Sequence, residues 1–353
     1  HNILALSSNY PLYADISNRV MNILRSYSPI HQVYSIDECF IDLTGISKTR
    51  ETSYQIRERV IKWTGIPVCI GIGPTKTLAK LANFIAKKHP KSKGVFNYND
   101  LSKIQQQKIL NCIPVNKVWG VGHRLSTQLK ESGINTVEDL KTAHIPTLRK
   151  KFSVVMEKTQ RELQGVTCFN LEDITPNKKQ IISSRSFGKS VSNINTLKDA
   201  VCTFVSNATE KLRSQKSHAS VIHVFLKTNR FKVDQPQHMP SLAIRLPQPT
   251  NSSLTINRWS NHLLKKIFRP EYSYKKAGII LCEISDIHSQ QVDWIESATS
   301  NDSKLMTTLD RLNQRFGRGT IKISAQGFYK EWKMKQERKS PSYTTDWNSI
   351  PRV

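Results

Sequence analysis

The sequence predicts a multidomain α+β protein, and three observations carry that prediction. Its 353 residues exceed what one hydrophobic core usually serves, so about two to four domains are expected. Strand-like runs and helix-like runs of three-and-four spacing are interleaved in both halves of the chain. Between them, from Leu101 to Gly165, the pattern breaks into short helices punctuated by Pro114, Gly120, Gly122, Gly133 and Pro146.

From the N-terminus, Leu12, Ile16, Val20, Ile23, Leu24 and Tyr27 give Tyr10 to Ser28 the apolar stripe of an amphipathic helix. Two strands are expected to flank Asp37 and Glu38, and a further strand, Ile66 to Gly73, to run into a helix from about Thr75 to Lys88. The glycine-broken block of 101–165 follows, and 166–180, aperiodic and carrying Pro176, Asn177, Lys178 and Lys179, reads as a linker. Beyond it the expected order is strand 181–191, helix 196–215, strand 220–228, strand 241–247, helix 254–268 and strand 276–285. That β-α-β-β-α-β order is the split unit of ferredoxin-like domains. From about Ser289 the texture is polar with isolated aromatics, as in an appended tail that is partly disordered alone.

The formal charge is +26, with basic residues spread along the length. Such a surface repels itself unless something anionic sits on it, and a nucleic acid backbone is the commonest such partner. A membrane is the weaker option, because the sequence has no apolar run of about eighteen residues and no signal-type start. Cytoplasmic is therefore the expected location. The six cysteines lie far apart, with no C-x-x-C pair and no zinc spacing, and read as reduced, mostly core thiols. The chain opens on His1 inside what looks like a strand, so a preceding segment is expected.

Three patterns carry chemistry. In YSIDECFIDLT, Asp37 and Glu38 fall at or near the end of the expected hairpin, where neighbouring side chains can reach one spot. Packed carboxylates suit a hard cation such as magnesium, which leaves room for substrate phosphates; an exposed acidic turn is the plainer alternative. On the helix that follows GIGPTK, Lys76, Lys80, Asn83 and Lys87 share one stripe opposite Leu78, Leu81, Ala82 and Ile85. A solvated lysine face explains this as well as a phosphate-binding one does, but acids that hold magnesium near lysines that hold phosphates describe phosphoryl transfer. In IPVNKVWGVGHRLSTQLKESGINTVEDL, Gly120 and Gly122 would let a backbone turn approach a phosphate closely, the helix-hairpin-helix pattern of sequence-blind DNA binding; an ordinary helix-to-helix turn is the alternative.

Taken in order, SSNYPLYADISNRV, YSIDECFIDLTG, GIGPTKTLAKLANFIAKK, IPVNKVWGVG and SRSFGKS resemble the successive landmarks of Y-family translesion DNA polymerases. NQRFGRGTIKISAQGFYKEWKMKQERKSPSYTT is similar to the C-terminal extension of the bacterial UmuC-type branch, which acts in error-prone synthesis during the SOS response. The resemblance implies a partial palm over 1–100, a helix-hairpin-helix thumb over 101–165, a little finger over 181–288 and a UmuC-type tail over 289–353. It implies Asp37 as a metal ligand, Glu38 as the acid near the primer end, two magnesium ions in the complete enzyme, and Lys87 as the grip on the incoming deoxynucleoside triphosphate. Lys80 would lie near phosphate or DNA, Gly120 and Gly122 on the duplex backbone, and Arg185 and Lys189 on DNA in the little finger. The tail would dock a UmuD-type dimer and RecA, and Gln291, Val292, Asp293, Trp294 and Ile295 occupy the place of a sliding-clamp peptide, departing from its usual Q-L-x-L-F.

The resemblance also places a third metal carboxylate, the steric-gate aromatic and the fingers before the point where this sequence begins. With only Asp37 and Glu38, magnesium would be held poorly. Two functions of different class follow: a translesion polymerase, or a non-catalytic module that grips DNA and recruits UmuD or the clamp. A nucleotide cyclase shares a carboxylate hairpin but has no use for the glycine turn.

Overall fold

The computed structural model describes residues 3–171, 177–287, 300–327 and 329–350. The chain divides into two compact units, His1–Thr175 with Arg338–Val353, and Pro176–Glu337. The first boundary falls inside the aperiodic, proline-bearing stretch 166–180.

Unit 1 begins with α1, Tyr10–Arg25, capped by the Asn9 side chain, which accepts from the Leu12 amide. Strands β1, His31–Val33, and β2, Cys39–Ile41, form an antiparallel pair with Val33 opposite Cys39. Helix α2, Thr49–Thr64, escaped the sequence reading: in TRETSYQIRERVIKWT only Ser53, Ile56 and Val60 are buried, so the apolar stripe is too narrow to stand out. Gly65 ends it at φ +71°. Strand β3 covers only Ile70–Ile72 of the expected 66–73 and runs parallel to β4, Val95–Asn97.

Helix α3, Lys76–Lys88, starts at Thr75, whose hydroxyl accepts from the Leu78 amide. It lies directly on β3, because a Cβ at Gly71 would sit 2.0 Å from the Asn83 nitrogen. Glycine there is required by the approach of helix to strand. Helices α4, Lys103–Cys112, α5, His123–Glu131, α6, Val137–Thr142, α7, Ile145–Phe152, and α8, Val154–Leu163, then share one core with α3, centred on Leu78, Leu81, Leu110, Leu129 and Leu140. Capping boxes at Ser102 and Gln105, and at Thr136 and Asp139, explain where α4 and α6 begin.

Unit 2 runs β5, Ile181–Val191, α9, Ile194–Ser214, β6, Ser217–Thr228, β7, Ser241–Thr250, α10, Ser253–Ile267, and β8, Tyr274–Asp286. The element order is the one read from the residues, with ends shifted by up to three. The sheet order is β5-β8-β6-β7 and every pairing is antiparallel, so β8 splits the first βαβ unit and β6 the second. Leu197, Val201, Phe204, Ile256, Leu263 and Leu281 are among the buried side chains between the helices and the sheet.

The region read as an appended tail is shared between the two units. Helix α11, Ser300–Phe316, joins unit 2, where Asp310 pairs with Arg213 of α9 at 2.6 Å. Trp332 is 5% exposed, edge-on to Phe204 and Phe187 in the core. The chain then returns to unit 1, where the nearly buried Asn9 amide donates to the Ser340 carbonyl and hydroxyl, each at 3.1 Å. No helix among the described residues is long and apolar enough to cross a membrane.

Candidate nucleotide and nucleic-acid site

The acid pair stands on the turn between β1 and β2. The Glu38 carbonyl accepts from both the Tyr34 and Ser35 amides, at 3.0 and 3.1 Å, which closes the turn and turns Asp37 and Glu38 toward the start of α3. Asp37 is exposed and accepts from the Ser35 hydroxyl at 2.5 Å. Glu38 is half-buried, and both of its carboxylate oxygens lie 2.8 Å from the Lys80 ammonium. The turn is thus exposed at Asp37, as the plainer alternative has it, while Glu38 is drawn into an ion pair with Lys80. Both acids line one cavity of about 730 Å³ together with Thr75, Lys76, Lys80 and Asn83.

The lysine stripe is divided by this arrangement. Lys80 is at the acids, its ammonium also 5.0 Å above the Tyr34 ring. Lys76 is mostly buried and donates to the Gln32 side chain and the Asn170 carbonyl. Lys87 is exposed about two turns further along α3 and does not line the cavity. Spacing placed Lys80 and Lys87 on one face correctly; only the fold singles out Lys80 as the cation that meets the carboxylates.

Helix α3 is aimed by a residue that the sequence reading passed over. Glu162, on α8, is fully buried and accepts four hydrogen bonds: from the Thr77 amide and hydroxyl at 2.9 and 2.8 Å, and from the Cys168 and Phe169 amides at 3.0 Å each. It satisfies an otherwise orphan N–H in the first turn of α3 and places a negative charge at the positive end of that helix. Nothing in the local pattern of EKTQRELQG marks this acid among its neighbours.

At the glycine turn, Gly120 has φ +85°, and Gly122 is the residue from which α5 starts, at φ −78°. Only the first requires glycine for its backbone. Both are exposed, and a Cβ built at either meets nothing within 4 Å, so the turn presents bare backbone ahead of a helix start. Trp119, just before the turn, was also passed over; its indole N–H donates to the Tyr34 hydroxyl at 3.0 Å. In unit 2, Arg185 and Lys189 are exposed on β5. Gln291, Val292, Asp293, Trp294 and Ile295 lie outside the described residues.

Hard carboxylate oxygens facing a cavity edged by lysines fit a magnesium ion, which commonly takes one or two protein carboxylates and completes its shell with water and substrate phosphate. Asp37 is the available donor, while Glu38 is engaged by Lys80. The protein set is small: among the described residues no group of three or more His, Cys, Asp or Glu side chains gathers.

The architecture is shared with a Y-family DNA polymerase chimera, at a TM-score of 0.59 and 20% identity over 79% of this chain and 78% of that one. It defines the chain as having the Y-family DNA polymerase fold. Residues 1–83 match the impB/mucB/samB family, 178–294 match the C-terminal domain of that family, and 303–353 match a domain of unknown function. Protein UmuC of Salmonella typhimurium is 41% identical over 360 residues, covering 99% of this chain and 84% of that protein. Protein ImpB of the same organism is 40% identical over 354 residues, covering 99% and 83%. The chain belongs to the impB/mucB/samB family.

Proposed function

We propose that this protein extends a primer on damaged template DNA by metal-assisted nucleotidyl transfer, as an error-prone polymerase of the SOS type. The observation that carries the reading is the meeting of Asp37, Glu38 and Lys80 in one cavity at the start of α3. On this reading residues 1–100 are palm, 101–165 thumb and 181–288 little finger.

Asp37 would hold a magnesium ion, which when bound lowers the charge on the triphosphate and favours attack at phosphorus. The chain's own residues do the rest. Lys80 neutralises Glu38 until an anionic substrate arrives, and is then placed to donate to a phosphate oxygen. Lys87, exposed further along the same face, meets the outer phosphates. The Gly120 turn offers backbone N–H groups to the duplex without reading sequence, and Arg185 and Lys189 add phosphate contacts. A UmuD-type dimer, RecA and the sliding clamp are the partners we place on the tail, by resemblance alone.

Glu38's engagement with Lys80 favours a second reading, in which the chain grips DNA and docks partners without synthesis. Primer extension with magnesium and deoxynucleotides separates the two when the protein is compared with Asp37→Ala. A loss of about a hundredfold or more supports the enzyme. Duplex binding with no Asp37-dependent extension supports the module.

A further inference from the structure

Trp119 occupies an unusual position between the two turns. Its indole N–H reaches the Tyr34 hydroxyl across 85 residues of sequence, and the rings meet edge-on with centroids 5.4 Å apart. Phe40, on β2, and Phe169 close the box at 5.7 and 5.9 Å. Tyr34 in turn begins the acidic turn: its amide donates to the Glu38 carbonyl, and its ring lies under the Lys80 ammonium that holds the Glu38 carboxylate. On the other side, the Phe169 amide is held by the buried Glu162. Trp119 itself is followed directly by Gly120.

The acidic turn is also tied to α1, where the Ser17 hydroxyl donates to the Ile36 carbonyl, and to α3 through Lys80; Trp119 adds the tie to the glycine turn. Strands β1 and β2 are three residues each and form a two-stranded sheet of their own, a pairing too short to be rigid alone. Asp37 and Glu38 need a fixed position for any chemistry, since a displacement of about 1 Å costs about a hundredfold in rate.

We propose that Trp119 is a positioning residue, which through Tyr34 fixes the acidic turn in register with the glycine turn at Gly120 to Gly122. Only its consequence for catalysis rests on the polymerase reading; the mechanical coupling does not. It acts through Tyr34 and touches no substrate.

The test uses the full chain with Trp119→Ala, Trp119→Phe, Tyr34→Phe and the Tyr34→Phe, Trp119→Phe pair. Hydrogen exchange should quicken about tenfold at the Tyr34 and Ser35 amides in Trp119→Ala, with α9 unchanged. If Trp119→Ala does not fold, the two phenylalanine variants decide. Each removes one end of the same hydrogen bond, so the pair should exchange no faster than either alone, and additive increases would overturn the coupling. Unchanged exchange in a folded Trp119→Ala protein overturns the proposal outright.

In primer extension the turnover rate should fall about tenfold, with duplex affinity held within about twofold and most of the rate restored in Trp119→Phe. Asp37-dependent extension that ignores Trp119→Ala removes the proposal and leaves the polymerase reading standing. Quickened exchange in a protein without Asp37-dependent extension does the reverse.

Discussion

Lys80 holds Glu38 by both carboxylate oxygens at 2.8 Å, so the two charges that the sequence sets 42 residues apart neutralise each other in the cavity. Neither side chain is deeply buried, at 23% and 37% exposure, so the pair contributes at most about 1 kcal/mol to stability. Its consequence is for binding. Replacing Lys80 by Met should leave the melting temperature within about 3 °C but raise the deoxynucleotide concentration needed for half-maximal extension about tenfold, the worth of one charge-assisted contact. Nucleotide titrations of primer extension check this, and an unchanged dependence would show that Lys80 does not meet phosphate.

Glu162 should matter for stability far more than its distance from the acids suggests. Glu162→Ala leaves the buried Thr77 amide and the half-buried Cys168 and Phe169 amides without their acceptor, at a cost of about 3 kcal/mol. Chemical denaturation of the full chain measures it. A loss below about 1 kcal/mol would mean that water replaces the carboxylate freely.

Trp332 tests how firmly the stretch 329–337 belongs to unit 2. Its burial against Phe204 and Phe187 predicts a loss of about 3–5 kcal/mol for Trp332→Ala. The destabilisation should appear in the unfolding of unit 2, followed by hydrogen exchange of α9 and β5. A variant that unfolds as the parent does would show that the tryptophan packs no core.

The Cys202 thiol, fully buried on α9, is pushed up to about 12 by burial and by the nearby Asp199 carboxylate. A raised folded value stabilises the folded chain fully below the unfolded thiol value of about 8.5, and that contribution is lost as pH rises toward 12. Between about pH 9 and 12 the parent should lose up to about 1.4 kcal/mol per pH unit from this group. Cys202→Ala should lack that component. Denaturation of both proteins at pH 8 and pH 10.5 measures the difference, and parallel pH profiles would refute it.

Gly120→Glu places a negative side chain on the exposed turn ahead of α5, at φ +85°. Duplex affinity should fall about tenfold or more, equally for unrelated sequences, and the salt dependence should flatten in step. Loss confined to particular sequences would contradict contact through backbone phosphate alone.

The residues by themselves determined the elements whose physics is local. The apolar stripe of α3 against its lysines, the acid pair between two strands, the glycine turn and the strand-helix order of unit 2 all follow from periodicity and backbone preference. Helix α2 stayed hidden because only three of its sixteen positions are buried, too narrow a stripe to stand out, and the strands of unit 1 shrank to three residues because pairing partners, not propensity, set their length. What only the tertiary structure decided is which distant groups meet. That Lys80 and not Lys87 faces the carboxylates, that Glu162 seats the first turn of α3, that Trp119 reaches Tyr34 and that Trp332 lies in a core are long-range contacts. They depend on how helices and strands pack in three dimensions, and spacing along the chain carries no information about that.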